Sequence, residues 1–304
     1  MLRRRGFTLI ELMVGIVMLG LVGLMMARLM TSMLRVTTAQ IQVAGAQGTS
    51  RTGVSAIPLE FREIGYDTLT KSGTTSSDLE TIAPNRLTFR AMRGTGMTCD
   101  LVAGGGGVTT LKVRRPIFGL RDPVETDSFR IFIENDVNLG TDDQWVTLVV
   151  NDIADEDCGA DKAWLLEIDP PEYDDGTVVP ITQVFVGGPV RWFERMEYGP
   201  VIDGATGRTY VGARSLNLGE NTLAAMIGPI PDSTGFALTY YGGDGTVLDP
   251  TVATNRIKVR SIGITLTGTT TSPVSLAASS TRARNTSPVF TRVALRNNLR
   301  ENAP

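Results

Sequence analysis

The sequence predicts an α+β protein in which one long N-terminal helix, membrane-spanning in its first half, packs on a β-rich globular body of antiparallel strands. An apolar run over residues 12–34 predicts the membrane-spanning half, and apolar residues at helical spacing up to residue 64 predict its continuation. After residue 67 the pattern changes to short alternating stretches separated by Gly, Ser and Thr, which is typical of strands and turns.

The composition argues against most catalytic and nucleic-acid-binding functions. The chain has no histidine, so it lacks the usual general base and every site built on histidine ligands. Its two cysteines are too few for a zinc site made of four thiolates. A net charge of −3 does not favour binding to nucleic acid. We therefore expect a protein that is not an enzyme and has no nucleic-acid partner.

The apolar run over residues 12–34 is long enough to cross a bilayer at about 1.5 Å per residue, and Arg28 is the one charge within it. Three arginines at positions 3–5 precede it, so the positive-inside rule predicts a cytoplasmic N-terminus and a body on the other side. A secretory signal would have a shorter apolar core followed by a cleavage site of small residues, which this sequence does not clearly contain. The run therefore predicts a retained anchor.

Glu11 is the residue that a plain anchor does not explain. An acidic side chain within a span costs about 2.5–3.5 kcal/mol even on the most lenient insertion scale, and such residues are usually functional and paired. Glu11 lies near the cytoplasmic end, where reaching the interface relieves part of this cost. The sequence therefore predicts a specific partner for its carboxylate.

The residues around Glu11 form a recognisable combination. A basic leader ends at Gly6, the heptapeptide FTLIELM follows with the aromatic Phe7 first, and Glu11 lies five residues after the glycine at the start of an apolar helix. This combination resembles the class III signal of type IV prepilins and of type II secretion pseudopilins. The resemblance implies that residues 1–6 are a leader, that prepilin peptidase cuts after Gly6 and methylates the amine of Phe7, and that residues 7–34 are retained as a transmembrane and assembly helix.

The resemblance also supplies a partner for Glu11. Cleavage would create a new amine at Phe7, and in a stack of parallel helices the Glu11 carboxylate of one subunit can meet the Phe7 amine of a neighbour. Each charge is unfavourable alone in an apolar setting, and together they satisfy each other. We therefore expect other pilins or pseudopilins to bind through this helix, with prepilin peptidase and an inner-membrane assembly platform as further partners.

Residues 35–65 are predicted to continue the helix as an amphipathic segment. Val54, Ile57, Phe61 and Ile64 recur at spacings of three and four and mark one face. We expect Pro58 to kink the helix, and the glycines at positions 45, 48 and 53 predict a break in its middle. The stretch over residues 59–67 resembles the end of this helix in PilW-like minor pilins and in J-type pseudopilins.

Residues 66–304 are predicted to form the β-rich extracytoplasmic body. Glycine-rich turns at residues 203–207 and 242–245 predict two hairpins, and alternation of Phe129, Ile131 and Ile133 predicts one buried strand face. The end of the chain over residues 290–297, together with residues 240–242, resembles the PilW-like group. The predicted strands are 86–92, 108–114, 128–134, 145–150, 163–168, 181–186, 190–198, 208–215, 236–241, 257–266 and 289–295.

Two further groups of residues are candidates for chemistry. Cys99 and Cys158 are the only cysteines, and an exported body predicts that they form a disulfide, with two buried thiols as the alternative. Residues 152–161 are rich in carboxylates, and Asp155, Asp157 and Asp161 are candidates for calcium. The order of residues does not match an EF-hand, so we expect a solvated acidic loop and no cofactor.

Together these features predict a structural minor pilin, most like the PilW type, that takes part in initiation, assembly or tip formation of a type IV pilus. Adhesion, twitching motility and DNA uptake are compatible with this role. Two alternatives stay open: a J-type pseudopilin of a type II secretion pseudopilus, and a membrane-tethered extracytoplasmic binding or hydrolytic domain. We expect a single-pass inner-membrane protein with a periplasmic or extracellular body that enters a surface filament.

Overall fold

The computed structural model describes residues 8–64, 78–104, 107–115, 121–134, 138, 144–173, 176–274 and 282–295. It confirms the predicted α+β architecture, in which a long N-terminal helix is followed by a β-rich body of antiparallel strands. The leader residues, including Gly6, and the proposed new N-terminus at Phe7 lie outside the described residues.

Helix α1 runs without interruption over Leu9–Arg62, a length of 54 residues. The predicted break at the glycines of its middle is wrong, and the helix also continues through Pro58. Each glycine weakens a helix by about 1 kcal/mol relative to alanine, but packing of this segment on the body outweighs that loss. The helix ends at Glu63, whose backbone N–H bonds to the carbonyl oxygens of Glu60 and Phe61.

Within the described residues, fourteen strands follow α1. They are β1 (Leu79–Ile82), β2 (Leu87–Gly104), β3 (Gly107–Arg114), β4 (Ser128–Ile133), β5 (Gln144–Leu148), β6 (Val150–Cys158), β7 (Asp161–Ile168), β8 (Pro189–Asp203), β9 (Arg208–Ser215), β10 (Ala224–Ile230), β11 (Phe236–Tyr241), β12 (Val247–Leu248), β13 (Ser261–Thr269) and β14 (Thr286–Ala294). Short 3-10 turns occupy Ile181–Gln183, Ser233–Gly235 and Ala253–Lys258.

The strands form two antiparallel sheets. The large sheet has ten strands; its main path is β10-β9-β8-β2-β3-β7-β6, with β1 paired to β2 and with β4 joined to both β5 and β8. The small sheet has the order β12-β11-β13-β14, and α1 packs mainly on β13, β14 and β10. The helix therefore contacts both sheets, and the three strands that it packs on most come from the last third of the sequence.

The body has two buried cores. The first lies under the end of α1, where Ile57, Phe61 and Ile64 are almost fully buried, as their spacing predicts, and where the Phe61 ring meets Phe89 and Tyr198 edge to face at 5.3 and 5.6 Å. The second lies between strands of the large sheet, away from the helix, and includes Val108, Leu111, Phe129, Trp164 and Trp192.

The predicted hairpins and alternating strand are confirmed. Strands β8 and β9 pair up to Asp203 and Arg208, and β11 and β12 are joined by a turn in which Gly245 has a φ of 83°. That backbone conformation favours glycine because other side chains clash there. Phe129, Ile131 and Ile133 are all buried in β4.

Several strand predictions are wrong. Residues 181–183 form a 3-10 turn in place of a strand, and the N–H of Gln183 bonds to the Pro180 carbonyl at 2.9 Å because the chain turns immediately after that proline. Residues 257 and 258 also belong to a 3-10 turn, so β13 begins at Ser261. Strands β1, β6, β10 and β12 were not predicted.

Candidate functional site in the N-terminal helix

The first turn of α1 contains a reciprocal cap between Thr8 and Glu11. The Glu11 backbone N–H donates to Thr8 Oγ1 at 3.3 Å, and the Thr8 backbone N–H and hydroxyl both donate to Glu11 Oε2 at 3.0 Å. This capping box satisfies two of the N–H groups that a helix start leaves without partners. The structure therefore gives Glu11 a partner within its own subunit.

Sequence reasoning missed this cap because it looked for a partner outside the subunit. The signal was present, since a Thr followed three residues later by Glu before an apolar run is the pattern of a capping box. The proposed pair between Glu11 and the Phe7 amine of a neighbour is a separate expectation. It involves a second subunit and a residue outside the described range.

The first half of α1 is apolar and is not buried against the body. Every residue from Thr8 to Thr38 is exposed, including Leu9 and Leu19, each at 76%. Among the described residues α1 is the one helix long and apolar enough to cross a membrane, judged by length and composition. Such a surface is unstable in water, so it requires lipid or the apolar faces of other helices.

The second half of α1 is fixed to the small sheet by small residues. Gly53 lies so close to β13 that an added Cβ would be 2.1 Å from Leu266 Cδ2. Ser50 is fully buried; its hydroxyl oxygen accepts from Gly268 N–H at 2.7 Å, and its O–H donates to the Ser287 carbonyl at 2.8 Å. These contacts fix α1 on the body and prevent it from sliding along the helix axis.

An ion-pair network joins the end of α1 to the large sheet. The guanidinium of Arg93 in β2 contacts Glu60 of the helix at 2.9 Å and Glu194 of β8 at 2.7 Å. Burial alone would lower the pKa of Arg93, but the two carboxylates outweigh it and raise that pKa. Arg93 is therefore held in its charged form between the helix and the sheet.

The structure joins Cys99 and Cys158 in a disulfide, with their Cα atoms 6.4 Å apart. Cys99 is the extra residue at a register shift between β2 and β3, and Cys158 ends β6, at the edge of the sheet. Two strands lie between β2 and β6 in the sheet order, which in a flat sheet would separate these positions by about 14 Å. The sheet is therefore strongly curved at this end, and the disulfide links its edge strand β6 to β2.

The acidic segment is a strand and not the predicted loop. Most of it forms β6, which pairs with β7, and its carboxylates face basic side chains of neighbouring strands. Asp155 pairs with Arg115, Asp157 contacts Lys162 at 2.7 Å, and Asp161 contacts Arg114 at 3.2 Å. In the part of the chain that the structure describes, no three carboxylate or thiol groups are placed to hold a metal ion. The three calcium candidates are thus not brought together.

Comparison with known proteins identifies one feature of the chain. The model of the prokaryotic N-terminal methylation motif matches residues 1–27, which include Gly6, Phe7 and Glu11. No curated protein and no solved structure gives a significant match. The motif supports membership of the type IV pilin and pseudopilin superfamily and a role as a substrate of prepilin peptidase. Together with the exposed apolar helix, it is consistent with membrane anchoring and with incorporation into a filament.

Proposed function

We propose that the chain is a PilW-like minor pilin, a structural subunit that takes part in initiation, assembly or tip formation of a type IV pilus. The observation that carries this proposal is the position of the methylation motif at the start of a helix with two different halves. One half is apolar and exposed, and the other is fixed to the subunit's own body. Such a helix can exchange lipid for the helices of neighbouring subunits while the body stays folded.

The start of the helix suggests a contact that would fix the axial alignment of the N-terminal helices of neighbouring subunits. Both capping bonds of Glu11 end on Oε2, so Oε1 has no partner among the described residues. After cleavage at Gly6, the Phe7 amine of an adjacent subunit could bind this second oxygen. The contact joins two different surfaces, so it repeats along an open helical filament instead of closing a dimer.

The assignment to the PilW-like type rests on sequence resemblance at three places. Residues 59–67 cover the end of α1, whereas 240–242 and 290–297 belong to or follow β11 and β14 of the small sheet. A large body is also better suited to a minor subunit than to one repeated at every step of a fibre. The J-type pseudopilin shares the first of these resemblances and is the second candidate.

Processing at Gly6 provides the test of the proposal. We expect the intact mass of protein extracted from membranes to correspond to a chain that begins at Phe7 and carries one added methyl group. Gly6→Leu should block the cut, because a peptidase that accepts glycine at this position has little room for a side chain. A parent chain that still begins at Met1, in cells with active prepilin peptidase, would point to a membrane-tethered domain that only resembles a prepilin.

A second measurement separates the two filament candidates. Deletion of the gene should reduce the surface pili recovered by shearing if the chain is a minor pilin. Loss of type II secretion with normal surface pili would instead identify a J-type pseudopilin. Re-expression of the parent chain from a second site is the matched control in both assays.

A further inference from the structure

A cavity of about 330 Å³ lies beside α1, at the C-terminal end of its exposed apolar half. Its body side is fixed by an antiparallel bridge between Val274 and Ala283, with N–H···O distances of 2.8 and 3.2 Å. Its helix side is tied to the body because Gln42 Oε1 accepts from Ser272 N–H at 3.1 Å. The residues that line the cavity and enter the argument below are Arg35, Gln42, Ser272 and Arg282.

The two arginines of the cavity lack the acidic partners that several arginines of the large sheet and its flanking residues have. Arg86, Arg93 and Arg195 each pair with a carboxylate of the large sheet. Arg35 and Arg282 have no acidic partner in the described part of the chain, although they come from distant segments and line one cavity. No acidic residue occurs in the sequence over residues 12–59 or over residues 250–300, so both elements of the cavity are free of negative charge.

The same surface continues into the adjacent loop. Arg208 donates to the Thr271 carbonyl at 2.9 Å, which brings a third cation to the segment that forms the cavity. The carboxylate across the hairpin from it, Asp203, is occupied by the Thr206 N–H and hydroxyl at 3.1 and 2.6 Å. Asp203 keeps its negative charge but does not line the cavity. The lining residues include two arginines and no carboxylate, which suits an anionic ligand.

The hydrogen-bond donors of the cavity specify the kind of anion. Because Gln42 Oε1 is used by Ser272, the amide nitrogen of Gln42 keeps two N–H donors with no partner among the described residues. Two guanidinium groups and this amide can only donate hydrogen bonds. A phosphate, which offers several acceptor oxygens, matches such a set, and arginine binds phosphate in a bidentate manner.

The height of the cavity on α1 indicates where the phosphate would come from. Arg28 is the first charge after the apolar residues 12–27. Arg35 lies seven residues further on the same helix face, about 10 Å along the axis towards the body. The headgroup layer on each side of a bilayer is about 5–8 Å thick. The long side chain of Arg35 can therefore reach phosphates at the membrane surface.

We propose that this cavity binds the headgroup of an anionic phospholipid in the leaflet from which the body emerges. Arg35, Arg282 and the Gln42 amide bind the lipid phosphate, and the acyl chains run along the exposed apolar face of α1. The inference rests on the proposed function, because it requires α1 to lie in a membrane. A subunit held in this way gives up one bound lipid when it leaves the membrane for a filament.

The test uses the full mature chain in nanodiscs of phosphatidylcholine that contain a minority of phosphatidylglycerol. Native mass spectrometry then measures which lipid stays bound after release. We expect the parent to retain phosphatidylglycerol selectively, and Arg35→Gln combined with Arg282→Gln to reduce that preference about fivefold for each arginine removed. The corresponding double change to lysine should keep most of it.

Arg51→Gln is the matched control. Arg51 is an exposed arginine of the same helix, about 24 Å beyond Arg35, and its loss should not change lipid retention. Equal retention by the parent and the double glutamine variant would overturn the inference, as would an equal loss in Arg51→Gln. Displacement of the lipid by inorganic phosphate alone would overturn the lipid assignment in favour of a site for free phosphate.

Flotation of each variant with vesicles separates this inference from the proposed function. A parent chain that does not float with vesicles would overturn both, because α1 would not be inserted. A parent chain that floats but shows no preference for phosphatidylglycerol would overturn the lipid site alone. Flotation of the double variant at the parent level shows that insertion is intact and that a change in lipid retention arises at the cavity.

Discussion

Gly268 of the small sheet lies very close to the backbone of α1. A Cβ at this position would lie 2.2 Å from the Ala46 carbonyl oxygen and 2.6 Å from Ser50 Oγ. The first of these atoms belongs to the helix backbone and has little freedom to move. The absence of a side chain at Gly268 is what allows its N–H to bond to Ser50.

Gly268→Ala should therefore destabilise the protein. We expect a loss of about 1–3 kcal/mol in the free energy of unfolding, because the added methyl group forces the helix away from the sheet. Denaturant unfolding of the full chain in detergent, followed by circular dichroism, measures this loss. Gly243→Ala is the control, since its added Cβ would have Arg260 Cγ as nearest neighbour at 3.8 Å, and an unchanged midpoint in both variants would contradict the prediction.

Contacts of this kind define what the sequence could and could not predict about single residues. Ile57, Phe61 and Ile64 were predicted to be buried because their helical spacing is a local signal. The bond between Gly268 and Ser50 joins residues 218 positions apart, and neither has a neighbour pattern that indicates the other. The glycines within α1 were interpreted as points of weakness, whereas Gly53 is required by the nearness of Leu266.

The edge strand β6 depends on the disulfide as well as on its pairing with β7. Cys99 and Cys158 are 59 positions apart, and closing a loop of this length in the unfolded chain corresponds to about 4 kcal/mol of stabilisation in the chain-entropy model. We expect reduction, or the double change Cys99→Ser and Cys158→Ser, to lower the free energy of unfolding by up to this amount. Adding reductant to the double variant should then have no effect.

Peptide mapping without reductant tests the linkage itself. It should recover one peptide pair that joins Cys99 to Cys158 in protein prepared from cells. Free thiols that can be alkylated at both positions in native protein would contradict the prediction.

The ion pairs that Glu197 of β8 forms with Arg214 of β9 and with Arg86, just before β2, should be sensitive to acid. Burial alone would raise the pKa of Glu197 in β8, but hydrogen bonds and charges from Arg214 and Arg86 lower it below the ordinary value of 4.5. A carboxyl whose pKa is lower in the folded state stabilises the fold at pH above its unfolded pKa. That contribution is lost as the pH falls through the folded pKa.

We therefore expect the stability of the parent to fall as the pH drops below about 4.5, and Glu197→Gln to show a smaller fall. At neutral pH the variant should be about 1.5–3 kcal/mol less stable, because its two arginines lose charged hydrogen bonds. Denaturant midpoints at neutral and acid pH measure both effects. Glu156→Gln, which changes an exposed carboxylate 3.8 Å from Lys112, is the control and should cost less than about 1 kcal/mol at neutral pH. A Glu197→Gln profile parallel to that of the parent would contradict the assignment.

A strand could be predicted where its local sequence pattern favours the same secondary structure that it adopts in the folded protein. Strand β4 has apolar residues at alternate positions 129, 131 and 133, which predict a strand, whereas β6 carries Asp and Glu residues that disfavour strands and predict a loop. Its cross-strand ion pairs with basic residues, such as Asp157 with Lys162, compensate in the folded protein. Strand β10 was missed because Gly228 and Pro229 lie within it, and both residues are typical of turns.

The molecule as a whole consists of a folded body and a half-helix that the body does not cover. The sequence predicted this division because an apolar run of such length has no counterpart elsewhere in the chain. It could not predict the two sheets, since their order joins segments that lie far apart in the sequence, such as β2 with β8. In the proposed filament, neighbouring subunits would contact this uncovered half-helix.

Glu11 then has two possible roles in a filament, and one substitution separates them. As a cap it needs only an oxygen that accepts from Thr8, and glutamine at this helix position can supply one. As the partner of a neighbour's Phe7 amine it needs a negative charge, and removing one member of a buried ion pair typically costs 3–5 kcal/mol. Glu11→Gln keeps the first role and removes the second, whereas Glu11→Ala removes both.

We expect Glu11→Gln to be inserted, cleaved after Gly6 and folded, but to enter filaments at least about tenfold less well than the parent, because the charge pair is worth more than the cap. The measurement is the ratio of subunit in sheared filaments to subunit in membranes, at native expression and with cleavage confirmed by mass. Thr8→Val is the matched control: it removes the hydroxyl of the cap, worth about 1 kcal/mol, and leaves the charge in place. Incorporation of Glu11→Gln at the parent level, with Glu11→Ala and Thr8→Val both impaired, would show that the cap, and not the charge pair, is what assembly requires.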